Sequence, residues 1–105
     1  MISSPAVMFE RESQATVAVP GDVDGPAVTE LDAAFEGARR QHPAIIRVDL
    51  RAAESISRAA LSLFLRWQEL AQRTGFHVLF VHARERIADT LRAAGLDSLY
   101  GSEET

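Results

Sequence analysis

At 105 residues the chain has the length of one domain with one core, and a single domain over residues 1–105 is expected. Hydrophobic residues make up 47% and charged residues 25%, which excludes the composition of a disordered chain. The net charge is −4 and the basic residues are interleaved with acids, so no stripe exists to neutralise phosphates and nucleic acid is not an expected partner.

In chain order, Ala6 to Glu10 and Ala15 to Val19 are short β-prone segments separated by Arg11-Glu12-Ser13-Gln14, the pattern of a β-hairpin. Pro20-Gly21 ends the second strand, and Asp24-Gly25-Pro26 forms a helix entrance. Val28, Leu31, Phe35 and Ala38 recur at helical spacing and predict a first helix that ends before Pro43. Ile45, Ile46, Val48 and Leu50 predict a central strand, interrupted only by Arg47 and Asp49. A second helix starts at Ser57, a good N-cap, and runs to about Thr74 with Gly75 in the C′ position. His77 to Val81 is the next strand. A third helix covers about Arg84 to Ala94, burying Ile87, Leu91 and Ala94, and Gly95 stops it. Leu96, Leu99 and Tyr100 follow as candidates to cap the core.

The expected fold is therefore a small α/β domain of order ββαβαβα, a mixed sheet packed with three helices. Its predicted core comprises Val17, Leu31, Phe35, Ile46, Val48, Phe64, Trp67, Leu70, Leu79, Val81, Ile87 and Leu91. Binding surfaces in such sheets gather at the carboxyl ends of the strands. Here those loops contain Gly21 to Asp24, Asp49 to Ser57, and His82 to Arg84. The chain has no cysteine, which removes disulfides, thiolate metal sites and cysteine nucleophiles and fits a cytosolic compartment. No cationic region precedes an apolar run, and no segment approaches the roughly 18 apolar residues of a bilayer span. Membrane insertion is not expected.

Gly21-Asp22-Val23-Asp24 resembles the Gly-Glu-Leu-Asp at the first helix of the STAS domain family, best known from anti-sigma-factor antagonists. Ile46-Arg47-Val48-Asp49-Leu50 is similar to that family's central strand, and Ala94-Gly95-Leu96-Asp97-Ser98-Leu99-Tyr100 to its ending of the third helix. The ordered set covers almost the whole chain. Where the family signature reads Asp-Ser-Ser-Gly-Leu, this chain reads Ser57-Arg58-Ala59-Ala60-Leu61. The serine phosphorylated in typical members thus falls on Arg58, which cannot take that modification. The resemblance implies docking of an anti-sigma factor or related regulatory protein on the second helix and its leading loop, without the ordinary switch.

Six residues form the candidate partner-binding set: Asp22, Asp24, Ser57, Arg58, Leu61 and Leu65. Ser57 would accept phosphate only in a shifted register, and a plain N-cap role is favoured over that. Arg58 is a cation in a first helical turn, opposed by the helix dipole, so either an acidic partner, Asp22 or Asp24 pairs with it, or water solvates it. On the second helix Ala60, Leu63, Phe64, Trp67, Leu70 and Ala71 share one arc, while Ser62, Arg66, Glu69 and Arg73 lie opposite. Leu61 and Leu65 fall between as an apolar ridge, suited to packing on the third helix or to anchoring a partner. Asp22, Asp24 and Asp49 lack the further ligands of a calcium loop, and His42, His77 and His82 show no metal-ligand spacing. Neither a nucleophile with its base nor a cofactor motif is evident, so no enzymatic activity, metal or cofactor is expected. Two competing readings are a constitutively bound structural subunit of a larger transport or signalling assembly, and a small-molecule or nucleotide sensor.

Overall fold

The computed structural model describes residues 7–11 and 14–96. The strands β1 (Val7–Arg11) and β2 (Gln14–Ala18) form the expected antiparallel hairpin. After β2 come a two-residue strand β3 (Asp22–Val23), helix α1 (Gly25–Arg39), strand β4 (Ile45–Asp49), a second two-residue strand β5 (Ser55–Ile56), helix α2 (Arg58–Thr74), strand β6 (His77–Val81) and helix α3 (Glu85–Ala93). The main sheet has the order β1-β2-β4-β6, with β2, β4 and β6 mutually parallel. The short strands β3 and β5 make a separate parallel pair, which periodicity did not predict.

Alternation along each strand sends one set of side chains toward the helices. Ala15 and Val17 of β2, Ile46 and Val48 of β4, and Val78 and Phe80 of β6 are all buried. They meet Leu31, Phe35 and Ala38 of α1 and Ala60, Leu63, Phe64, Trp67 and Ala71 of α2. Aromatic rings join the layers. Phe35 stacks on Trp67 with centroids 4.2 Å apart and planes 6° from parallel, and Phe64 bridges Trp67 and Phe80 at 5.2 Å and 5.0 Å. The indole N–H of Trp67 donates to Asp32 Oδ1 at 3.2 Å, tying α2 to α1 with its polar atom satisfied.

Three expected core residues are only half-buried: Leu70, Leu79 and Val81. On β6 the phase is reversed, with Val78 and Phe80 inside. The run from Val78 to Val81 is apolar at every position, so its sequence holds no alternation to set the phase. Leu70 sits at the edge of the α2 arc and packs against the core margin. Ala94 is half-buried rather than buried, whereas Leu96 closes the core with no exposure. Leu99 and Tyr100 lie outside the described residues.

Candidate functional site

The pairing of β3 with β5 brings the entrances of α1 and α2 side by side. Asp22 opposes Ser55 and Val23 opposes Ile56, and the Glu54 N–H donates to the Gly21 carbonyl at 2.7 Å. Asp24 and Ser57, the N-cap residues of α1 and α2, each follow directly on these strands. Gly21 to Asp24 and Ser55 to Arg58 thereby form one rim, although the two segments are more than thirty residues apart.

Along this rim the polar groups have distinct roles. The Ser55 hydroxyl donates to Asp22 Oδ1 at 3.3 Å. Asp24 is exposed, and its carbonyl accepts the Val28 N–H at 2.8 Å while its side chain makes no cap bond. Ser57 is half-buried in extended backbone, and its Oγ accepts the Ala60 N–H at 3.1 Å, the N-cap arrangement its sequence position predicts. Arg58 is exposed in the first turn of α2, a turn without an acid. Among the described residues it forms no ion pair, with Asp22, Asp24 or any other acid. Beneath the rim Asp49 is engaged locally, accepting from the Arg51 N–H at 3.0 Å and pairing with the Arg51 guanidinium at 3.2 Å.

The apolar pair on α2 divides. Leu61 is half-buried and packs against the core, whereas Leu65 is 42% exposed and is the only large hydrophobic residue so exposed among the described residues. Counting about 100° per residue, Leu65 lies in the same solvent-facing sector as Arg58, Ser62 and Glu69. Of the six residues picked from the sequence, Asp22, Asp24, Ser57 and Arg58 stand on the rim and Leu65 on the exposed face of α2 below it, while Leu61 turns toward the core. Sequence reasoning missed Ser55, whose role depends on the pairing of β3 with β5. Ser55 carries no local pattern that marks it. His82, in the loop expected after β6, leaves that strand with a left-handed φ of 61° that is uncommon outside glycine.

No group of three or more His, Cys, Asp or Glu side chains among the described residues is placed to hold a metal ion. No helix among them is long and apolar enough to cross a membrane.

Comparison with known proteins agrees with the fold. The fold is similar to the anti-sigma factor antagonist SpoIIAA in its unphosphorylated form, with a TM-score of 0.77 at 16% identity over 96% of this chain and 90% of that one. It is similar to an RsbS variant of Moorella thermoacetica, with a TM-score of 0.77 at 16% identity over 98% and 89% of the two chains. An anti-sigma factor antagonist from Mycobacterium paratuberculosis gives 0.71 at 23% identity over 94% and 86%. At such identities the likeness is one of fold. No curated protein sequence matches the chain. A family model described as "Mlab, STAS domain" matches residues 7–101, nearly the whole length, and the chain belongs to that family of STAS domains.

Proposed function

We propose that this domain is a non-catalytic, cytosolic regulator that binds an anti-sigma factor or a related regulatory protein through Asp22, Asp24, Ser57, Arg58, Leu61 and Leu65. The observation that carries the reading is the joined rim: two helix entrances held together by β3 and β5, leading onto an exposed Leu65. An apolar anchor ringed by polar and charged groups is the anatomy of a protein-docking patch.

Binding of this kind is constitutive. A phosphate in the first turn of α2 would bring roughly −1.5 to −2 charges and repel an acidic partner surface. At Arg58 the charge is instead a fixed +1, and the neighbouring Ser57 hydroxyl is occupied as a cap. Control then rests on the abundance of the domain or on the partner. A second reading is favoured by the family match, whose description is that of the Mlab STAS domain and not of an antagonist. In that reading the same rim is permanently buried in a larger assembly, and the interface exceeds about 2,000 Å² instead of staying below it.

The test is co-purification of the partner at gentle salt, followed by titration of wild type, Arg58→Ala and Arg58→Glu against it. An acidic partner contact makes Arg58→Glu the weakest binder and Arg58→Ala intermediate. Equal affinities would make Arg58 a bystander, and stoichiometric phosphate on Ser57 that releases the partner would restore a phosphorylation switch in a shifted register.

A further inference from the structure

The outer edge of the sheet at β6 offers a second surface, separate from the rim. β6 stands last in the order β1-β2-β4-β6, so its far edge faces no strand among the described residues. In its ladder with β4, the His77 N–H donates to the Ala44 carbonyl at 2.9 Å, and the Val81 carbonyl accepts the Leu50 N–H at 2.9 Å. Alternation along a parallel ladder then turns the N–H and C=O groups of Val78 and Phe80 outward.

The two edges of the sheet are not alike. β1 includes Glu10 and Arg11 and has a register irregularity between Met8 and Arg11, both devices that discourage strand addition. β6 reads His77-Val78-Leu79-Phe80-Val81, with no acid, arginine or proline. The adjoining flank of α2 is also free of formal charge: Gln68 and Gln72, with Ala71 and Phe76, line a groove of about 280 Å³ that runs along His77 to Leu79. In a chain whose residues are 25% charged, such a strip needs an explanation.

We infer that this edge pairs with a second copy of the chain, β6 against β6, antiparallel about Leu79. In that register Val78 and Phe80 of one copy oppose Phe80 and Val78 of the other, and all their outward backbone groups are satisfied. Leu79, half-buried in the monomer, meets its own counterpart as the close, non-hydrogen-bonded pair. A two-fold axis sets the strip against itself, so fixed charge of one sign would repel. Glutamine amides, which both donate and accept, face each other without that cost. A foreign strand would satisfy the same backbone groups, but would place no such demand for neutrality on the strip. A short strand pair with one helical flank lies at the small end of specific interfaces, below roughly 1,200 Å², so the dimer forms and dissociates with concentration. Gln68 and Gln72 continue the face of α2 that carries Leu61 and Leu65, so the dimer leaves the rim itself open and borders the Leu65 end of the candidate docking surface.

Sedimentation velocity of the full chain over a concentration series tests this. The expected mass rises from 11.5 kDa toward twice that value. Gln72→Glu and Gln72→Lys each raise the dissociation constant roughly tenfold or more by like-charge repulsion across the axis. An equimolar mixture of the two variants restores the dimer, and both keep the circular dichroism spectrum and melting temperature of wild type. A monomer at every concentration would overturn the inference, as would a dimer that neither variant weakens or that mixing fails to restore.

Discussion

Asp32 shows how one side chain fixes the frame on which the rim stands. It accepts the Trp67 indole N–H at 3.2 Å and lies 3.5 Å from the Arg66 guanidinium, while the Trp67 ring is 2% exposed and stacked on Phe35. The Arg66 pair is open to solvent and contributes little. The Trp67 bond matters more, because its loss leaves a buried donor without a partner. Asp32→Ala is expected to cost about 1–3 kcal/mol and Asp32→Asn, which keeps an acceptor, clearly less. Urea unfolding followed by the fluorescence of Trp67 measures both. Phe64, fully buried between Trp67 and Phe80, carries a larger burden: Phe64→Ala should lose about 3–5 kcal/mol in the same assay. Unchanged stability for that variant would mean that the register of α2 is wrong. The core residues of α2 were legible in the sequence from spacing. The Asp32 to Trp67 bond was not, since it joins two helices and leaves no local pattern.

Among the elements, α2 was read most closely, because both of its ends carry chemical signals. Ser57 caps the first turn and Gly75 closes the last with φ of 102°, its N–H donating to the Ala71 carbonyl at 2.8 Å. A side chain at that left-handed position is strained, so Gly75→Ala should destabilise by about 1–2 kcal/mol. Ser57→Ala removes the cap acceptor and should cost about 1 kcal/mol, read as a lower urea midpoint at unchanged slope. The strands were harder. β6 has apolar residues on both of its faces, so its inward set, Val78 and Phe80, followed only from its pairing beside β4. β3 and β5 are two residues each, too short for any period, and exist because a distant segment supplies the partner.

At the scale of the whole molecule, the topology turns scattered residues into a surface. Asp22 and Asp24 stand in one stretch of chain and Ser57 and Arg58 in another. The β3 and β5 pair sets them beside each other, and α2 extends the run to Leu65. The loops at strand ends and the STAS resemblance pointed to these residues as candidates. The pairing of β3 with β5 that joins their two segments was not legible, since a distant stretch of chain supplies each strand's partner. Hydrogen exchange of the amides with and without the co-purified partner tests the central claim most directly. The docking account predicts added protection over residues 21–24 and 55–66, with β1 and α3 unchanged. Protection confined to α3 or to the β1 edge, with the rim still exchanging as in the free domain, would contradict it.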